Sequence, residues 1–213
     1  MASTGLSAAS SDLETLAVFY RDHLERSVLP FWLGAPSDLQ RGGVFTCIEN
    51  VSGRIVSDDK FVWSQGRFAW LMGHAARLAE KGLLRVEPEG LLERARKTAD
   101  FLIENAYLED GSCAYLLSAD GRRKEFLPGK GHAISYFADC FVILGLSEVA
   151  RASGERSYLE KALTGYRNLQ ERLARGDAPS EPYPLPPGCR AHARPMILLN
   201  VAQELERCLK EFG

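Results

Sequence analysis

Apolar residues recur at three- and four-residue spacing along almost the whole chain, the signature of amphipathic helices. Leu13, Leu16, Ala17, Tyr20, Leu24 and Val28 follow this rule behind Asp12, which predicts a first helix capped by that aspartate and closed by Pro30 and Gly34. A second helix is predicted over 60–80, opened by Asp58 or Asp59 and ended by Gly82. A third follows over 88–107, with Pro88 at a first-turn position. Two more are expected over 132–152, closed by Gly154, and over 155–174. A loop carrying Pro179, Pro182, Pro184, Pro186 and Pro187 then leads to a last helix over 194–212. The helical period breaks twice. Val44 to Ile48 with Ile55 and Val56 around Asn50 to Gly53, and Cys113 to Leu117 with Arg122 to Phe126 around Ser118 to Gly121, read as short β-hairpins. Helices paired across short connections, with hairpins inserted on one side, predict an all-α helical-hairpin toroid or solenoid. Its loops gather at one rim, where a site can form.

The chain has 213 residues, 46% hydrophobic and 25% charged, with a formal net charge of −2. That size and balance fit one domain, here residues 12–213 behind a small, polar and flexible leader over 1–11. Near-neutral charge argues against nucleic acid as a partner. No apolar run approaches the ~18 residues of a membrane span, and the leader lacks the form of a secretory signal. A cytoplasmic location is expected. The five cysteines, Cys47, Cys113, Cys140, Cys189 and Cys208, are widely spaced and contain no C-x-x-C pair, so neither a disulfide framework nor a metal site is predicted. Apolar faces around Phe137, Phe141, Leu144, Met196, Leu199 and Val201 call for more partners than six helices supply. A homo-oligomer, or pairing with a second half-barrel, is therefore expected.

The densest chemistry lies in residues 58–70, D-D-K-F-V-W-S-Q-G-R-F-A-W. On a helix, Lys60, Trp63 or Ser64, Arg67 and Trp70 share one stripe. Two indoles and a guanidinium on one stripe can line a sugar pocket, because indole faces stack on C–H-rich sugar faces and guanidinium fixes an oxygen. The same stripe also fits a core-packing face whose arginine snorkels outward.

Gly42-Gly43-Val44-Phe45-Thr46-Cys47, Asp58-Asp59-Lys60 and Trp63-Ser64-Gln65-Gly66-Arg67 resemble the opening motifs of the N-acylglucosamine 2-epimerase family. The resemblance continues through Asp120-Gly121-Arg122 and Arg151-Ala152-Ser153-Gly154-Glu155 to Arg194-Pro195-Met196-Ile197-Leu198-Leu199-Asn200. It runs over roughly 14–210 in the family's order and looks like its N-terminal half. The W-x-Q-G-R block is the specific piece.

The resemblance implies the first six helices of an (α/α)6 barrel, a small-molecule sugar substrate, and epimerisation at C2 of N-acetylglucosamine or N-acetylmannosamine or a related sugar. It implies no cofactor and no metal. That reaction removes the acidic C2 proton of the ring-opened sugar and returns it to the opposite face, which asks for two proton carriers and a partner for the enediolate. By resemblance, Arg67 is the catalytic arginine that holds the substrate oxygen. Trp63, Gln65, Tyr115, His132 and Met196 fall on positions that bind substrate. The two histidines that move protons in the family have no match among His23, His74, His132 and His192. His74, one turn beyond Trp70, reads as a packed or surface residue. Two readings follow: a sugar epimerase incomplete as this chain, or a catalytically inactive helical half-barrel serving as an interaction module.

Overall fold

The structure, a computed structural model, describes the backbone of residues 4–180 and 186–213, with side chains from Asp12 onward. Pro182 and Pro184 of the expected proline loop lie outside the described residues. Helix α1 (Thr4–His23) runs through a π-helical turn (Leu24–Val28) into α2 (Leu29–Leu33). This rod is longer than predicted. It starts at Thr4, so Asp12 sits inside the helix rather than capping it, and the backbone of the leader is helical as far as Thr4. The π turn sits just ahead of Pro30, whose ring collides with the carbonyl four residues back in a regular helix; the wider turn relieves that clash.

Strands β1 (Cys47–Ile48) and β2 (Ile55–Ser57) form the first expected hairpin, antiparallel. Its turn is held by the Glu49 carboxylate, which accepts from the Val51 and Ser52 amides at 3.0 and 2.7 Å. The next element departs from expectation. Residues Lys60–Phe61 are strand β3, and α3 (Val62–Glu80) begins only afterwards. Neither Asp58 nor Asp59 caps it; Asp59 instead pairs with Lys124 at 2.7 Å. β3 pairs antiparallel with β4 (Leu116–Leu117), which pairs with β5 (Arg123–Lys124), so the second expected hairpin becomes a three-stranded ribbon.

Helices α4 (Pro88–Asn105), α5 (Phe137–Ser153), α6 (Arg156–Arg175) and α7 (Ala193–Phe212) complete the chain. α5 starts at Phe137, later than the predicted 132. The preceding backbone is engaged elsewhere: the His132 carbonyl accepts from the Tyr115 amide at 2.8 Å, and the Tyr136 amide donates to Pro179 at 2.9 Å. Gly154 closes α5 in the left-handed region at φ 73°, as its position predicts.

α3, α5 and α7 lie side by side as one layer, with α4 and α6 packed behind them. α5 is buried almost all round, because it contacts α3, α4, α6 and α7. Its Val142, Leu146, Val149 and Ala150 are wholly inaccessible. Burial of a valine or leucine such as Val142 or Leu146 contributes about 1.5–3 kcal/mol. α3 and α5 touch backbone to backbone at Gly66 and Gly145; a Cβ on Gly66 would lie 2.2 Å from the Phe141 oxygen. This two-layer array of helix pairs, with strands at one rim, is the architecture the period predicts. The apolar faces singled out in the sequence divide. Val201 and Leu144 are buried, whereas Met196 and Leu199 are 59% and 60% exposed. No helix among the described residues is long and apolar enough to cross a membrane.

Candidate functional site

The W-x-Q-G-R block opens α3, and each residue in it points to a different neighbour. Gln65 is fully buried: its Oε1 accepts from the Val44 amide at 2.7 Å and its Nε2 donates to the Val44 carbonyl at 2.9 Å. The amide is committed at both ends, so it has no group left to offer a substrate; it clamps the Gly43–Val44 loop onto α3. Gly66 is the contact with α5. Trp63 and Arg67, four residues apart, flank Gly66 and turn toward α5, away from Gln65.

Arg67 rests between two rings, its guanidinium carbon 4.6 Å from the Trp63 ring centre and 4.2 Å from that of Phe141. Cation–π attraction to both faces holds it in place. Partial burial draws its pKa down from the ordinary guanidinium value. Among the described residues no carboxylate pairs with it, so a cation with five donors stands without an anionic partner. It borders a furrow of about 520 Å³ between α3, α5 and α7, walled by Trp70, Leu71, Phe141 and Leu144 and edged by His74, Asn200, Arg207 and Glu204, whose carboxylate is paired with Arg151 and Arg207. A second, apolar groove of about 360 Å³ lies on the other flank of α3 against α2, and Arg67, Leu71 and His74 border it too.

Lys60 does not share this stripe. It lies on β3, fully buried, where its Nζ donates to Asp38 Oδ2 at 2.8 Å, Gly42 O at 2.7 Å and Ala119 O at 3.1 Å. It also sits 4.1 Å from the centre of the Phe101 ring. Desolvation draws its pKa down while Asp38 pulls it back up. The lysine ties three loops together and does not reach the furrow.

Tyr115 and His132 meet at the strand rim. The Tyr115 ring packs on Phe61 and Phe126 at centroid distances of 5.7 and 5.1 Å, with Ile134 buried beside them. Trp63 Nε1 on α3 and His132 Nδ1 at the rim are buried and have no hydrogen-bond partner among the described residues. Met196 sits exposed in the first turn of α7, four residues before Asn200, and His192 precedes that helix, also exposed. The structure therefore brings Arg67, Trp63 and Trp70 to one face, places Tyr115 and His132 together at the rim, and directs Gln65 into the core.

The furrow's other edges escaped sequence reasoning. Asn200 closes the Arg-Pro-Met-Ile-Leu-Leu-Asn stretch with no role of its own in the sequence pattern, and His74, one turn beyond Trp70, reads from sequence as a packed or surface residue. That His74 is bound to Glu148, 74 residues away, at 3.0 Å left no local signal.

No family model matches the sequence. Among curated proteins, the chain is 31% identical over 212 residues to the N-acylglucosamine 2-epimerase of Bos taurus, covering 94% of this chain and 46% of that one. It is likewise 31% identical over 191 residues to the Homo sapiens protein of the same name, covering 87% and 42%. Among solved structures, it superposes on the cellobiose 2-epimerase of Spirochaeta thermophila DSM 6192 with a TM-score of 0.74 at 22% identity, over 94% of this chain and 50% of that one. A sugar epimerase from a ruminal bacterium gives 0.61 at 21% identity, over 74% and 37%. These structural likenesses carry the fold, a helical toroid of the (α/α)6 type represented here by six helical rods. The chain spans about half the length of the curated relatives it matches. Over the stretch it shares with them, the chain belongs to the N-acylglucosamine 2-epimerase family.

Proposed function

We propose that this chain forms the sugar-holding face of a 2-epimerase acting on N-acetylglucosamine, N-acetylmannosamine or a related sugar. The observation that carries this reading is Arg67, an unpaired guanidinium fixed between Trp63 and Phe141 at the edge of an aromatic furrow. In the ring-opened sugar, loss of the C2 proton shifts negative charge onto the neighbouring carbonyl oxygen. A fixed cation at that oxygen stabilises the charge as it develops, and in a furrow with apolar walls it does so more strongly than in water. Trp70 offers a flat apolar surface for the C–H face of the sugar as it binds in its cyclic form, before ring opening. The curated relatives carry the name N-acylglucosamine 2-epimerase, which supports an N-acylated hexosamine as the substrate.

Epimerisation needs two proton carriers, and the histidines that do this work in the family are not matched by this sequence. The chain by itself therefore binds sugar and epimerises it little or not at all, and activity requires the remaining part of the barrel. Isothermal titration calorimetry with N-acetylmannosamine and N-acetylglucosamine tests this. Saturable binding is expected, weakened about tenfold to a hundredfold in Arg67→Ala, as for the loss of a hydrogen bond to a charged group. Arg67→Lys recovers only part, since an ammonium lacks the planar fork. Equal affinity in the alanine variant refutes the assignment.

A specific observation also favours the interaction-module reading. Leu13, Phe19 and Tyr20 of α1 are 68%, 61% and 64% exposed, an apolar face that a second polypeptide can cover. Sedimentation at increasing concentration distinguishes the two: a monomer that binds sugar supports the first reading, and an oligomer blind to sugar supports the second.

A further inference from the structure

Among the furrow residues to which the proposed function gives no role is His74. It follows Arg67 by seven positions and Trp70 by four, so all three side chains rise from one face of α3. Its ring stacks on the Trp70 indole, with centroids 4.7 Å apart and planes 10° from parallel. Its Nδ1 lies 3.0 Å from Oε1 of Glu148, a fully buried residue of α5. A carboxylate only accepts, so the proton of this bond sits on Nδ1, and the tautomer this selects carries its lone pair on Nε2. Among the described residues no group hydrogen-bonds Nε2, and the side chain is 40% exposed at the edge of the furrow.

Glu148 does not need this histidine. It also accepts from Arg77 Nη1 at 3.2 Å and from Arg151 Nη1 at 2.7 Å. Glu211 of α7 bridges the same two arginines at 2.9 and 2.6 Å. The buried carboxylate is satisfied by cations on two sides, so its third bond serves to orient the imidazole rather than to neutralise the acid.

We propose that His74 is a second ligand contact in the furrow, its Nε2 accepting a hydrogen bond from a hydroxyl of the sugar that Arg67 holds, with Glu148 as the residue that positions it. The inference rests on the reading of the furrow as a sugar site and narrows the ligand. The molecule presents an acceptor oxygen to the Arg67 donors, a hydroxyl proton to His74, and an apolar C–H face to the Trp70–His74 stack. A neutral polyhydroxylated ring meets all three demands. A fully ionised anion does not, because it has no proton to give a neutral imidazole.

The test is isothermal titration calorimetry of the full chain with N-acetylmannosamine, comparing the parent with His74→Asn and His74→Gln. Asparagine places an amide nitrogen where ring Nδ1 stands, keeping a donor for Glu148 while removing Nε2. Glutamine carries its amide oxygen out to the position of Nε2. The expected result is binding about tenfold weaker in His74→Asn at an unchanged melting temperature, with part of the loss recovered in His74→Gln. Parent-like affinity in His74→Asn overturns the inference and leaves the Arg67 site standing. A loss that follows a lowered melting temperature and is not recovered by glutamine also overturns it, by making His74 purely structural. No binding by the parent chain overturns this inference and the sugar reading together.

Discussion

Adding one methyl group at Gly66 pushes apart the two helices that carry the furrow. A Cβ there lies 2.2 Å from the Phe141 oxygen and 2.4 Å from its carbonyl carbon. Unstrained contact needs about 3.5 Å, so α5 must retreat by roughly 1 Å. The obstacle is backbone, and no rotamer change removes it. Gly145 faces Gly66 across the same contact, with its own Cβ position 2.7 Å from the Gly66 oxygen, so sliding along the helix axis brings no relief. Overpacking of this kind costs up to about 3 kcal/mol, against which the better helix propensity of alanine returns about 1 kcal/mol. The net loss of about 2 kcal/mol corresponds to a melting temperature lower by about 4–8 °C for a chain of this size. Because Phe141 is one of the two rings that hold Arg67, sugar affinity should fall as well. Scanning calorimetry on Gly66→Ala, with Gly90→Ala as a control, measures the effect. At Gly90 the added Cβ meets only the Arg94 guanidinium at 3.6 Å, so alanine there should raise the melting temperature. A Gly66→Ala protein that melts at or above the parent refutes the close crossing of α3 and α5.

Three further expectations address the parts that hold the site in place. Lys60→Met strips the partner from Asp38, which is only 9% exposed, and should cost about 3–5 kcal/mol in urea unfolding. A loss below about 1 kcal/mol would mean the pair is dispensable. Gln65→Leu leaves the buried Val44 amide and carbonyl unpaired and should cost about 2–4 kcal/mol by the same assay, with an unchanged midpoint as the contrary result. The Asp120 carboxylate accepts hydrogen bonds from Ser118 and Arg122, which hold its pKa down to about 2. A depressed folded-state value means its support for the β4–β5 turn is complete above the ordinary carboxylate range and is lost as pH falls through about 2. A carboxyl NMR titration with a midpoint near 4 would contradict this.

Much of the helical layout was legible in the residues themselves. α4, α6 and α7 fall where the apolar period, Pro88 and the glycines place them, because amphipathic spacing and backbone punctuation are local properties of the chain. The two hairpins were legible for the same reason. The Trp63–Arg67–Trp70 stripe was legible because helix geometry alone puts residues three and four apart on one face.

What spacing cannot express is which neighbour arrives from elsewhere in the chain. Lys60 continues the helical stripe on paper, yet three loops converge on it, and their acceptors draw it into a strand and out of the furrow. The start of α5 moves to Phe137 because Tyr115 and Pro179, distant in sequence, recruit the backbone ahead of it. Gln65 belongs to the motif that identifies the family, but only the packed structure shows its amide held by Val44. The same holds for Arg67 and His74: their places on α3 follow from sequence, whereas Phe141 and Glu148, which give them their setting, come from α5. The sequence by itself determined the elements and the face that carries the chemistry, since both follow from short-range periodicity. Only the tertiary structure decided which side chains on that face stay free, because that depends on partners brought by the packing of one helix against another.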